Sequence, residues 1–275
     1  MSEPFANLTP AQLARLRWAE AQEAVDLHCH CLPGLDDGPR SLAASVELCR
    51  ALVDDGFTTV VATPHQLGRY DGGNHPETVR DAVRELQQAL NAQRVPLVVR
   101  PGADVRVDER LPRLLDEDRV LCLGDSGGPM LLELPHDVWV EPGDLVADLH
   151  ARGHGAILSH PERHPHVQRR PELAGRWADA GALLQVTAGS LCGDFGAVPA
   201  ATAWALVDRG LIALVATDSH DPKRRPPRMT AAIAELRRRV GVGAARRLCV
   251  QTPAALLRSQ GVAAPIAARS REVEA

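Results

Sequence analysis

The chain has 275 residues, 45% of them hydrophobic, which is enough to bury the core of one large α/β domain or of two small ones. Its 31 basic and 35 acidic side chains give a net charge of −4, so no broad basic surface is available to bind a nucleic-acid backbone. No apolar run approaches the ~20 residues of a membrane span, the first residues do not resemble a signal peptide, and six scattered cysteines are too few for a disulfide scaffold; we therefore expect a cytoplasmic protein with buried free thiols.

Residues 1–24 are predicted to form a helical extension. Thr9 is suited to cap a helix, and Leu13, Leu16 and Ala19 recur on one helical face. Such an extra amphipathic helix could cover one end of the following domain or mediate association.

Short apolar runs alternate with helical patterns between residues 25 and 260, which indicates repeated βα units. The runs are AVDLHCH, FTTVVATPH, VPLVVRPGAD, PMLLELP, GAILSHPER, ALLQVTAGS and LIALVATDSH. Several follow a glycine turn, as in DDGFT and ARGHGA, where glycine suits the end of a helix. About seven such units predict an α/β fold whose parallel strands close into a barrel, with an open doubly wound sheet as the alternative. Residues 261–275 are predicted to be a poorly ordered tail.

Most of these apolar runs end in a histidine or an acidic residue. Because the carboxyl ends of all strands meet on one face of a parallel barrel, such residues should converge in space. They are His28, His30, His65, Asp104, Glu133, His160, Asp218 and His220.

The first of these runs continues as DLHCHCLPGLDDG. Side chains alternate along a strand, so His28 and His30 should point to one side, suited to chelate one metal ion, while Cys29 and Cys31 point to the other side and pack. A zinc knot is disfavoured because no second Cys/His cluster at finger spacing completes four ligands.

Each of these polar residues also has an ordinary explanation, since a histidine can bond a carbonyl and an aspartate can cap a helix or turn. Asp36 and Asp37, on a glycine turn, would be read in that way if they stood alone. Gathering so many titratable groups is costly unless cations hold them together. Imidazoles and carboxylates without thiolates favour Mn, Fe or Zn over copper(I), in a site of two or three ions suited to hydrolysis.

Two arginines point to phosphate chemistry. Arg163 follows His160 by three residues, and Arg225 follows His220 by five. Either could be a solvated loop residue, but a guanidinium beside metal ligands is well built to bind phosphate and to neutralise transition-state charge. The pattern therefore favours hydrolysis of phosphate esters.

Seven segments together resemble the polymerase-and-histidinol-phosphatase (PHP) superfamily: DLHCHCLPGLDDG, ATPH, PGAD, LLELP, SHPER, QVTAGSLCGDFG and ATDSH. More narrowly, they resemble its bacterial metal-dependent protein-tyrosine phosphatases, which accompany tyrosine kinases controlling capsule and exopolysaccharide synthesis. The resemblance runs from about Val25 to Leu257 and implies a PHP fold, a distorted (β/α)7 barrel, to which the N-terminal helix is an addition. It also implies a phosphotyrosine protein, such as a bacterial tyrosine kinase, as substrate.

The resemblance also implies a ligand set. One metal would be held by His28, His30 and Asp218, a second by Glu133 and His160, and a third by Asp37, His65 and His220. Manganese is the first expectation, with iron or zinc as alternatives. Asp36 does not match a ligand position, and Arg163 and Arg225 would bind the substrate phosphate.

Asp104 departs from the family pattern, in which a glutamate bridges two of the ions. Aspartate is one methylene shorter, so the bridge could be looser, although its negative charge is retained.

The implied mechanism is attack by a metal-bound hydroxide without a covalent phosphoenzyme. A cysteine-based phosphatase is excluded because none of the six cysteines has an arginine six positions later. Two alternatives stay open: a small-molecule phosphatase, for example one acting on histidinol phosphate, and a degenerate metal-binding scaffold. The QVTAGSLCGDFG segment argues against the former, and only Asp104 supports the latter.

Overall fold

The computed structural model describes residues 23–125, 127–136 and 138–259. The predicted helix within residues 1–24 and the predicted tail, 261–275, therefore lie outside the described residues.

Within the described residues, nine parallel strands in two sheets form the centre of the molecule. They are β1 (Val25–Cys29), β2 (Thr59–Ala62), β3 (His65–Gln66), β4 (Val98–Pro101), β5 (Asp104–Arg106), β6 (Met130–Glu133), β7 (Ala156–Ser159), β8 (Leu183–Thr187) and β9 (Ile212–Ala216). One sheet has the order β1-β2-β4, and the other has the order β3-β5-β6-β7-β8-β9. Every pairing is parallel, which confirms the predicted α/β class.

Two of the predicted apolar runs are each split into two strands. The run at residues 57–65 forms β2 and β3, with Pro64 at the break, where no backbone N–H is available. The run at residues 95–104 forms β4 and β5, separated at Gly102. Because β2 pairs with β4 and β3 pairs with β5, both segments pass from the three-stranded sheet into the six-stranded sheet.

Backbone hydrogen bonds also link the end of β1 to the segment that follows β9. The Asp218 N–H donates to the His28 carbonyl at 2.7 Å, and the His30 N–H donates to the Ser219 carbonyl at 2.9 Å. The carboxyl ends of these two strands, which are far apart in sequence, are therefore neighbours.

Ten α-helices lie between the strands and after the last of them. They are α1 (Leu42–Asp54), α2 (Pro76–Ala92), α3 (Leu111–Asp116), α4 (Gly143–Ala151), α5 (Pro165–Arg169), α6 (Glu172–Asp179), α7 (Ala188–Cys192), α8 (Ala197–Asp208), α9 (Met229–Arg246) and α10 (Thr252–Arg258), counted within the described residues. Local sequence accounts for several helix starts: the Ser41 hydroxyl caps α1 by accepting the Ala44 N–H at 3.3 Å, and Pro76 opens α2. In the described part of the chain, no helix is long and apolar enough to cross a membrane.

The apolar core has two parts. A large cluster lies between strands and helices and includes Cys29, Cys31 and Cys49; all six cysteines are free thiols, and all but the partly exposed Cys192 are buried, as predicted. A smaller cluster joins Val25 and Leu27 of β1 to apolar residues of other strands and of α10.

A β-bulge in β1 separates these apolar residues from the histidines. Asp26 pairs with Val60 and Cys29 pairs with Ala62, so β1 carries one extra residue between the two pairs. The bulge changes which face each position occupies, and bulges commonly re-aim side chains in this way near functional sites. Leu27 packs in the small apolar cluster, whereas Cys29, two positions later, packs in the large one, and His28 faces the polar site at the carboxyl ends of the strands.

Candidate metal centre

The structure brings all nine predicted ligand residues together at the carboxyl ends of the strands. Seven lie near the carboxyl end of a strand or in the segment that follows it: His28, His30, Asp37, Glu133, His160, Asp218 and His220. His65 and Asp104 begin β3 and β5, shortly after β2 and β4 end.

His28, His30 and Asp218 form one compact group. The Nε2 atoms of the two histidines lie 3.2 Å apart, as expected for side chains that share a face. Asp218 Oδ1 lies 3.3 Å from His28 Nε2 and 3.4 Å from His30 Nε2. All three side chains are buried.

Asp104 lies between two groups of histidines. Its Oδ2 is 3.6 Å from His28 Nε2 and 3.4 Å from His65 Nδ1. Glu133 extends the cluster, with Oε2 3.5 Å from His65 Nδ1 and Oε1 3.7 Å from His160 Nε2. Asp104 therefore has the central position that a bridging carboxylate requires.

Asp37 completes the third group. Its Oδ1 lies 3.6 Å from His65 Nε2 and 3.3 Å from His220 Nε2. Together with His30, these residues offer four ligand atoms within 4.8 Å of one another.

The donor set fits divalent metal ions. Asp104 Oδ2 is fully buried and has no hydrogen-bond partner among the described residues. A buried, unpaired carboxylate oxygen among imidazole nitrogens is costly unless a cation satisfies it. Imidazole and carboxylate are the ligands that borderline and hard divalent ions accept.

Two predicted ligands have an unusual backbone conformation. His160 has φ 31° and Asp218 has φ 51°, in the left-handed region that residues other than glycine rarely enter. Each directly or closely follows a strand, so the turn aims its side chain back over the strand end. Such strain is found preferentially at functional sites.

The pKa values of two histidines favour metal binding, whereas the raised pKa values of Glu133, His30 and His65 mean that these groups release protons when a metal binds. Burial, followed by the charge of Asp104, raises the pKa of Glu133 to about 7. Burial lowers the pKa of His220 to about 4 and lowers that of His160 well below its ordinary value. These two imidazoles are therefore neutral at pH 7, which is the form that ligates metals.

Side chains that were not predicted orient the ligands. Burial opposes ionisation of Asp36, but the charge of His30 lowers its pKa to about 2, and its carboxylate accepts a hydrogen bond from His30 Nδ1 at 2.7 Å. His28 Nδ1 donates to Gln185 Oε1 at 2.8 Å, and the Ser159 hydroxyl donates to Asp104 Oδ1 at 3.3 Å. Hydrogen bonds of this kind, from residues that do not themselves bind metal, fix the tautomer of a histidine ligand and the orientation of a ligand side chain. The only sequence signal was a polar residue inside an apolar run, as in ALLQVT.

Both predicted arginines reach the centre. The Nη2 atoms of Arg163 and Arg225 each lie 2.6 Å from Asp218 Oδ2. The Nε atom of each is buried without a hydrogen-bond partner in the described chain, which leaves donors for an anion.

Six of the ligand candidates and both arginines line a cavity of about 460 Å³. Its wall adds side chains that the sequence had not pointed to: Arg69, Tyr70, Arg106 and His136. Tyr70 stacks on His65 with ring centroids 5.4 Å apart, and His136 lies in a group with Glu133 and His160 that could hold a metal.

His164 directly follows the HPER segment. This side chain is buried, and its Nε2 donates to the Pro135 carbonyl at 3.1 Å.

Residues 24–258 match the family described as "Capsular polysaccharide synthesis, CpsB/CapC". This chain belongs to that family. The membership agrees with the resemblance stated from the motifs.

Two curated relatives of the chain are named tyrosine-protein phosphatases. YwqE of Bacillus subtilis (strain 168) is 37% identical over 203 residues, which cover 73% of this chain and 79% of the relative. CpsB of Streptococcus pneumoniae is 22% identical over 242 residues, which cover 86% and 99%.

Solved structures agree with the family assignment. A crystal structure described as one of the metal-dependent tyrosine phosphatases YwqE and CpsB superposes with a TM-score of 0.82. The two chains are 33% identical, and the match covers 86% of this chain and 96% of that one. A dihydropyrimidinase from Brevibacillus agri has a TM-score of 0.51 at 13% identity, covering 86% and 70%, and shows similarity of fold alone.

Proposed function

We propose that this chain is a metal-dependent protein-tyrosine phosphatase that acts on a phosphotyrosine protein, such as a bacterial tyrosine kinase, in capsule or exopolysaccharide synthesis. One observation carries the proposal: nine candidate ligands cluster together, and six of them line one cavity with two arginines, in a chain whose relatives are named tyrosine phosphatases. We further propose a cytoplasmic location, with which the six free thiols agree.

We propose two or three divalent ions, with manganese first and iron or zinc as alternatives. The ligand sets are His28, His30 and Asp218; Glu133 and His160; and Asp37, His65 and His220, with Asp104 between them. When bound, such ions supply a water-derived nucleophile at neutral pH and offset phosphate charge.

Arg163 and Arg225 would bind the non-bridging oxygens of the phosphoryl group. Both approach from one side of Asp218, and a planar guanidinium pairs well with phosphate oxygens. They would also stabilise the charge that grows on these oxygens as the nucleophile attacks. The tyrosyl oxygen leaves as a phenolate, which depends less on a general acid than an alkoxide does.

We propose that residues 25–260 form a distorted barrel of seven strands, in which β2 with β3 and β4 with β5 each count as one interrupted strand. The hydrogen bonds between the end of β1 and the segment after β9 support it, as do the two segments that pass from one sheet to the other. A barrel of this kind places all strand ends around one cavity.

The proposed function is tested by hydrolysis rates measured on chelated protein before and after Mn²⁺ is added. A phosphotyrosine peptide should be cleaved only with metal, and Arg163→Ala or Arg225→Ala should lower kcat/KM by roughly 10²-fold. Alkylation with iodoacetamide should leave the rate unchanged, because no thiol takes part. Activity confined to histidinol phosphate would favour the small-molecule alternative, and metal binding without any hydrolysis would favour the scaffold.

A further inference from the structure

The loop between α7 and α8 places an aromatic ring against both candidate phosphate-binding arginines. The Phe195 ring centroid lies 4.8 Å from Arg163 Cζ and 5.6 Å from Arg225 Cζ. Both distances are within the ~6 Å over which a guanidinium is attracted to an aromatic face. The arginines come from different parts of the chain, after β7 and after β9, and Phe195 is a contact that they share.

The loop is built to hold the ring in this place. Gly193 and Gly196, with φ 88° and 94°, flank Asp194 and Phe195 in a left-handed conformation that suits glycine. At Gly189 in α7, a Cβ atom would lie 3.0 Å from Phe195 Cε2, so the ring rests against backbone where a side chain would crowd it.

A second contact holds the loop from outside. Asp194 Oδ2 accepts a hydrogen bond from Arg228 Nε at 2.8 Å. The two glycines and the aspartate of the GDFG segment therefore fix the position of the Phe195 ring.

Electrostatics explain why the arginines need such a support. Two guanidinium groups meet at the single atom Asp218 Oδ2, and like charges at this distance repel. Asp218 offsets that repulsion, but under the proposed function it also serves a metal ion, which would draw on the same carboxylate. The face of the Phe195 ring also carries negative electrostatic potential, and the ring, unlike Asp218, does not bind a metal ion.

We infer that Phe195 is a positioning residue that holds Arg163 and Arg225 side by side to receive a phosphoryl group. This inference rests on the proposed function. The two arginines line the cavity and Phe195 contacts both of them, so the ring is placed to act through the arginines.

The test compares Phe195→Leu, which keeps an apolar side chain without an aromatic face, with Phe195→Tyr, which keeps the ring. Binding of inorganic phosphate to the Mn²⁺-loaded protein is measured by calorimetry, alongside kcat and KM on a phosphotyrosine peptide. Phe195→Leu should weaken phosphate binding by about tenfold, and Phe195→Tyr should stay within about twofold of wild type. Val198→Ala, an exposed change in the next helix, is the matched control and should alter neither.

A purely structural role predicts different results. Under our inference, metal content and melting temperature are the same in Phe195→Leu as in wild type. In an Arg163→Ala/Arg225→Ala background, Phe195→Leu then causes no further loss of phosphate binding. Any of three results would overturn the inference. Phe195→Leu could bind phosphate as tightly as wild type, Phe195→Tyr could lose as much affinity as Phe195→Leu, or the loss in Phe195→Leu could persist without the arginines. Because phosphate binding needs no turnover, absence of phosphotyrosine hydrolysis in the wild type would count against the proposed function alone.

Discussion

His28 and His30 show how single side chains in this centre are oriented by residues that do not bind metal. Each donates from Nδ1, one to Gln185 and the other to Asp36, and each turns Nε2 toward Asp218. The outer hydrogen bond makes Nδ1 the protonated nitrogen and leaves Nε2 free to bind a metal.

Asp104 is the residue at which this chain departs from the expected pattern, and it gives the first prediction. Asp104→Glu would extend the carboxylate toward Glu133 and His160 and should tighten binding of the weakest ion by roughly tenfold. The isosteric Asp104→Asn removes the charge and should weaken it by at least as much. Metal retained after dialysis, measured by elemental analysis, checks both variants; weaker retention in Asp104→Glu would show that the shorter side chain suits this centre.

Glu133 gives a prediction about pH. Burial raises its pKa to about 7, so in the metal-free protein its carboxyl is protonated below that pH and ionised above it. A metal needs the carboxylate, so binding should release about one more proton at pH 6 than at pH 8, and apparent affinity should fall by up to about tenfold per pH unit below 7. Calorimetric titrations in two buffers of different ionisation enthalpy measure this release. Glu133→Gln should abolish the difference, and equal release at both pH values in wild type would contradict the assignment.

At the scale of elements, irregular strands place the ligands. The bulge in β1 turns His28 toward the site, and the breaks between β2 and β3 and between β4 and β5 let His65 and Asp104 begin new strands side by side. In regular strands, side chains would alternate between the two faces without interruption through the apolar residues and the ligands.

Gly102, at the second break, provides a test of this geometry. A Cβ atom there would lie 2.6 Å from Val61 Cγ1, so Gly102→Ala should lower the free energy of unfolding by about 1–3 kcal/mol. Gly243→Ala in α9 is the control, because its Cβ would meet nothing within 4 Å, and it should be neutral or stabilising by up to ~1 kcal/mol. Urea denaturation distinguishes the two, and equal stability of both variants would show that the break tolerates a side chain.

At the scale of the whole molecule, the metal centre joins residues from both sheets. The cluster draws on the ends of β1, β6 and β7, on the first residues of β3 and β5, and on the segment after β9. Its carboxylates and imidazoles are packed closely, so an ion that binds only the folded state should stabilise the entire fold.

Chelation tests that coupling. With Mn²⁺ at about 100 times its dissociation constant, one site adds about 2.7 kcal/mol to folding, which corresponds to a rise in melting temperature of roughly 5–10 °C over chelated protein. Differential scanning calorimetry with EDTA and with Mn²⁺ measures the shift. Asp218→Asn should lose most of it, and a wild-type protein that melts at the same temperature in both buffers would argue against a metal in this cavity.

The sequence by itself determined the alternation of strands and helices and the residue types at the strand ends, because periodicity, turns and ligand chemistry are local properties. Its family resemblance also assigned the nine ligand candidates and both arginines, which the fold then gathered. Only the tertiary structure decided which residues orient them. Gln185 contacts His28 across 157 positions of chain, the bulge changes the direction of side chains in β1, and Phe195 contacts two arginines that follow two different strands. Those partners are set by the packing of distant segments, and no local pattern carries that information.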